Sequence, residues 1–136
     1  MNTQNPTAEY LLLIRGTDWD TRLSPEEIQE VMNQFVSWHD GLKQRNIVKA
    51  AQPLVNEGKI VSGKGGNSVA DGPFAEAKEA VGGYFLLQVS GQDEAVAIAK
   101  ECPILSLGAT IEVRQIAEIC SVLERMNVQL SQALSI

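Results

Sequence analysis

The chain has 136 residues, 44% hydrophobic and 21% charged, with a formal net charge of −6. That balance supports one domain with a buried core and excludes an intrinsically disordered chain. The acidic charge and scattered Lys and Arg argue against nucleic acid and against an anionic membrane surface, and no apolar run reaches the ~18 residues of a spanning helix.

The first ten residues, MNTQNPTAEY, carry no basic-then-apolar signal pattern, so a cytoplasmic location is expected. Glu9 to Arg15 (EYLLLIR) reads as a strand, apolar on both alternating faces and therefore central in its sheet. SPEEIQEVMNQFVSWHDGLKQRN is the clearest helix. Ser24 is a candidate N-cap, Pro25 suits the first turn and Glu27 completes a capping box. Ile28, Val31, Met32, Phe35 and Leu42 form its apolar face. Short β-like runs follow at Ile47–Ala51 and Lys59–Val61, cut by Pro53, by Asn56-Glu57-Gly58 and by a glycine-rich loop. Gly82-Gly83 opens the strand Tyr84–Val89, again apolar on both faces. A second helix is expected over Gln92–Cys102, with Ala95, Ile98, Ala99 and Cys102 inward, Ser90 as cap and Pro103 as stop. Thr110–Ile116 is a two-sided strand: Ile111 and Val113 share one face, Thr110, Glu112 and Arg114 the other. Leu123, Met126, Leu130 and Leu134 recur at helical spacing in the tail.

The order β-α-β-β-α-β is the ferredoxin-like motif of the α+β class, with two helices on one face of an antiparallel sheet. The first and third strands of the motif are its middle strands, as their composition requires. Helices on one face leave the other apolar face uncovered, so a homodimer is expected.

Gly58 to Lys64 matches the first seven positions of a phosphate-binding loop, but Gly65 stands where Ser or Thr should ligate magnesium and no long helix follows. A hairpin tip is the better reading. Cys102 and Cys120 form no clustered pair, so no metal is expected, and no other cofactor motif is present. His39 is the only histidine and falls eleven residues after Ile28, on or beside the apolar stripe. It is either a general acid–base group facing a cavity or a helix-end histidine with a hydrogen-bonded ring. The neighbouring Trp38 and Phe35 are core aromatics or ligand contacts. Glu112 and Arg114 either pair as a salt bridge or line a polar pocket away from the helices. Asp71-Gly72-Pro73-Phe74 has the chemistry of a turn, with Asp71 capping a helical turn over Phe74–Ala80 and Phe74 as its anchor. The same carboxylate is a candidate site residue.

DGPFAEAKEAVGGYFLLQV, followed by DEAVAIAKECP and TIEVRQI, resembles the YCII-related domain, specifically the branch named for its Asp-Gly-Pro-Phe motif. The resemblance covers about residues 9–116, leaving 117–136 as a C-terminal extension of a single domain. It implies the dimeric α+β barrel, in which the sheet packs on a second subunit's sheet. The wider superfamily includes muconolactone isomerases and cofactor-free monooxygenases, with sites in a cleft between sheet and helices or loops. A His–Asp pair is the activity usually suspected in this group, and Asp71 is the position that carries over by motif. His39 matches no family histidine and stands on the reading of the residues alone. Some relatives are joined to transcription-initiation factors, which points to sensing.

The expected function is binding of a small organic molecule beside the Asp-Gly-Pro-Phe loop, with acid–base chemistry such as isomerisation or elimination. Asp71 and His39 would carry the proton, and Arg114, Glu112, Lys78, Phe74 and Trp38 would contact the ligand. The alternative is a non-catalytic ligand-sensing or protein-interaction module linked to transcriptional regulation.

Overall fold

Strand β1 (Ala8–Arg15) alternates as its sequence requires, with Tyr10, Leu12 and Ile14 buried and Leu11 and Leu13 half-buried on the opposite side. The structure is a computed structural model describing residues 7–16, 18–72 and 80–126. Helix α1 (Pro25–Gln44) follows, then strand β2 (Val48–Pro53) and the hairpin strands β3 (Lys59–Ser62) and β4 (Ser68–Asp71). Strand β5 (Val81–Val89), helix α2 (Gln92–Lys100), strand β6 (Thr110–Gln115) and helix α3 (Ser121–Met126) complete the order.

The main sheet runs β2-β5-β1-β6 with every neighbouring pair antiparallel, which is the ferredoxin-like topology. β5 and β1 are its middle strands, as their apolar composition predicts. Register puts Leu12 opposite Phe85 and Tyr10 opposite Leu87, so the buried residues of both strands share the face covered by the helices. Leu42 of α1 and Ala95, Ile98 and Ala99 of α2 close the core there, and Leu12, Leu42 and Leu87 are its most deeply buried large side chains. Cys102 belongs to the same core, where burial pushes its thiol pKa up.

The capping box of α1 forms as expected. The Glu27 backbone N–H donates to Ser24 Oγ at 3.1 Å, and the Ser24 N–H donates to Glu27 Oε1 at 2.8 Å. Ser24→Ala is therefore expected to destabilise the domain by about 1 kcal/mol, read as a lower urea midpoint at unchanged slope. α2 is capped differently from the expectation. Gly91, not Ser90, is its N-cap, with no side-chain cap. Glu94 reaches back instead, its Oε1 accepting the Ser90 N–H at 2.7 Å, and that bond holds its carboxyl below the usual pKa.

The glycine-rich stretch departs most from the sequence reading. Ser68–Asp71 is a strand, paired with β3 from Lys59 opposite Asp71 to Ser62 opposite Ser68. Between them the chain turns through Gly63, Gly65 and Gly66, with φ of 85°, 68° and 68°. That left-handed backbone is why this tip is glycine, and the helix a phosphate-binding loop needs does not follow it. Asp71 thus ends a strand. The Gly72 N–H continues the ladder by donating to Gly58 O at 3.0 Å. The helical turn expected after it, with Phe74 and Lys78, lies outside the described residues, as do Leu130 and Leu134 of the tail. Among the described residues no helix is long and apolar enough to cross a membrane.

Candidate active site

α1 lays an aromatic row across Phe85 of β5. Ring centroids of Phe35, Trp38 and His39 stand 5.9, 4.9 and 5.2 Å from that of Phe85. His39 meets the phenyl ring edge-on, at 77°. Helical spacing explains the grouping, since positions three and four apart share a face and Phe35 precedes His39 by four. The Trp38 indole N–H donates to Ile98 O of α2 at 3.3 Å, so this ring ties the two helices together.

Beside this row lies a cavity of about 330 Å³ between α1 and the β2–β5 side of the sheet. Met32, Phe35 and His39 form its helical wall, and Ile14, Ala51, Gly83 and Phe85 its sheet wall. Trp19, from the segment after β1, and Ile104, after α2, also line it. The exposed Gln52, Pro53 and Asn56, with Gly82 and Tyr84, complete it at the end of β2. Gly83 has a structural reason: a Cβ there would stand 3.1 Å from Gln52 O on the paired strand, and its missing side chain also leaves the sheet wall open. Trp19, Gln52 and Asn56 have no periodic or motif signal in the sequence. The pairing of β2 with β5 sets Gln52 opposite Tyr84.

The expected site residues fall into three places. His39 is on the cavity wall, half-buried, and makes no hydrogen bond among the described residues. Asp71 is exposed on β4, ion-paired with Lys59 across the hairpin, and does not line the cavity; one chain brings it into no hydrogen bond with His39. Glu112 and Arg114 are on the far face of the sheet. Register sets them opposite Leu13 and Leu11, away from α1 and α2. There Glu112 Oε1 accepts from Arg15 Nη2 at 2.6 Å and Oε2 from Arg114 Nη1 at 3.1 Å. Trp38 is beside the cavity but does not line it.

Arg15 first, then Arg114, hold the Glu112 carboxyl below the usual range. A carboxylate with a lowered folded pKa contributes stability above its unfolded pKa, near ~4.3, and loses it as pH falls through the lowered value. Glu112→Gln is therefore expected to melt earlier than the parent at neutral pH. The two melting curves should converge once pH falls below the lowered folded value, and added salt should shrink the neutral-pH gap.

The cavity offers one imidazole and the Asn56 carboxamide among aromatic and aliphatic walls, a composition suited to a small organic ligand and to proton transfer at one atom. Among the described residues no cluster of three His, Cys, Asp or Glu could hold a metal ion. A search of curated proteins finds no match. Among solved structures, 5-chloro-2-hydroxyhydroquinone dehydrochlorinase from Burkholderia phenoliruptrix AC1100, in complex with 2,5-dihydroxybenzoquinone, is similar at 12% identity. That likeness covers 81% of this chain and 94% of that one, with a TM-score of 0.45. The sequence model of the YCII-related domain matches residues 8–119, and the chain belongs to that family.

Proposed function

We propose that the protein binds a small organic molecule in the cavity between α1 and the sheet, with His39 as the group that exchanges a proton with it. The observation that carries this reading is the position of the chain's single imidazole on the wall of an apolar cavity. Isomerisation and elimination both need a proton taken from one atom and delivered to another, and a neutral imidazole can accept and then return one. A thermal-shift screen of small lactones, phenols and carboxylates tests it: a binder should raise the melting temperature of the parent and less so that of His39→Leu. A screen in which every stabiliser acts equally on both proteins would sink it.

A homodimer belongs to the same reading. Leu11, Leu13 and Leu86 share the sheet face opposite the helices, and a second copy laid on that face would bury them. Leu13→Asp should then convert a dimer to a monomer in sedimentation equilibrium, and a monomeric parent at every concentration would refute the dimer. Asp71 enters this reading from the hairpin of a second copy, because in its own chain it sits on β4, ion-paired with Lys59 and outside the cavity lining.

One observation favours a sensing module without catalysis. Among the described residues His39 has no hydrogen-bonded carboxylate to fix its tautomer, which proton transfer ordinarily uses. A compound that binds the cavity and is recovered unchanged would support that second reading.

A further inference from the structure

We infer that the cavity takes an uncharged molecule built on one aromatic ring, or two fused ones, with a hydroxyl or carbonyl group turned toward His39. The inference rests on the cavity reading above and narrows it to a ligand class. The chain has three Phe, two Trp and two Tyr, and three of these seven rings, Trp19, Phe35 and Phe85, line this one cavity, while Tyr84 borders it from a strand position whose side chain takes the other face of the sheet. Flat walls of this kind favour a flat guest, which meets them in stacked or edge-on contact.

Size agrees. A dry cavity of about 150 Å³ holds a benzene ring, so one of about 330 Å³ has room for a substituted ring or a fused pair. The glycine at 83 keeps the sheet wall free of a side chain where the guest would lie.

Charge decides the rest. Among the described residues lining the cavity there is no Asp, Glu, Lys or Arg. Arg15 and Arg114 are committed to Glu112 on the other face of the sheet, and Lys59 is committed to Asp71 in the hairpin. Among the described residues there is no fixed cation to replace the hydration that a carboxylate would lose on entering this space. A hydroxyl or carbonyl loses much less, because the His39 ring and the Asn56 amide supply both donors and acceptors.

Isothermal calorimetry at neutral pH with p-cresol, benzoate and cyclohexanol, on the parent and on Met32→Trp, tests this. Met32 is 37% exposed, so a larger side chain there narrows the cavity from the helix side without rebuilding the core. The expected result is p-cresol binding at least about tenfold tighter than either benzoate or cyclohexanol, and that advantage lost in a folded Met32→Trp. Benzoate binding as well as p-cresol overturns the uncharged class. Cyclohexanol binding as well as p-cresol overturns the aromatic requirement. Failure of all three on the folded parent, or binding untouched by Met32→Trp, overturns the cavity reading itself.

Discussion

Phe85→Ala is expected to lower the unfolding free energy by about 3–5 kcal/mol, measured by urea denaturation. Against the ~5–15 kcal/mol that holds a domain of this size together, that loss leaves little reserve. Phe85 is 4% exposed, and its ring lies under Phe35, Trp38 and His39. Removing it subtracts the transfer free energy of the phenyl group and leaves a void that three aromatic neighbours cannot collapse into without moving α1. Phe85→Leu keeps most of the apolar volume and is expected to cost less than about 2 kcal/mol, the lost edge-on contacts being the main part. The two variants separate bulk from ring geometry. If Phe85→Ala cost under about 1 kcal/mol, α1 would not be anchored through this ring, and the placement of His39 over the cavity would need another cause. A loss of the expected size with Phe85→Leu nearly as damaging would mean that ring contacts outweigh apolar volume.

The same ring marks how far the sequence could be read. Apolar runs on both faces of YLLLI and YFLLQV made β1 and β5 the middle strands, and Ser24-Pro25-Glu26-Glu27 fixed the start of α1, because both signals are local. His39 could be placed on the inner side of α1 by spacing alone. β4 could not be foreseen: Ser68-Val69-Ala70-Asp71 has weak strand propensity and is ordered by pairing with β3, a contact made only when the glycine tip turns. Asp71 is the last residue of that strand. By sequence alone Glu112 and Arg114 fit either an ion pair or a pocket, and the partner that resolves them, Arg15, lies 97 residues away from Glu112. Trp38 reads as a core aromatic or a ligand contact by composition, and its N–H is taken by Ile98 O on the neighbouring helix. Sequence periodicity reports which face a residue is on. It does not report which of two buried neighbours that face meets.

His39→Gln is expected to slow turnover of a cavity ligand by about 10²–10⁴ while changing its binding by less than about tenfold. Glutamine keeps a polar side chain able to hydrogen-bond the ligand but cannot take up and return a proton near neutral pH. Binding therefore survives where proton transfer does not. Asp71→Asn separates the remaining possibilities. Within one chain Asp71 faces Lys59 in an exposed hairpin, so a single-chain site predicts a change in turnover of less than about tenfold. A fall as large as that of His39→Gln would mean that the hairpin of one subunit reaches the cavity of the other. An equimolar mixture of the two variants would then regain about a quarter of parental turnover, because half the dimers are mixed and each mixed dimer carries one intact site. No recovery on mixing would confine Asp71 to a role in ordering the hairpin. Parental turnover in His39→Gln itself would remove the proton-transfer role from this imidazole, leaving the cavity as a binding site whose output must be read by a partner.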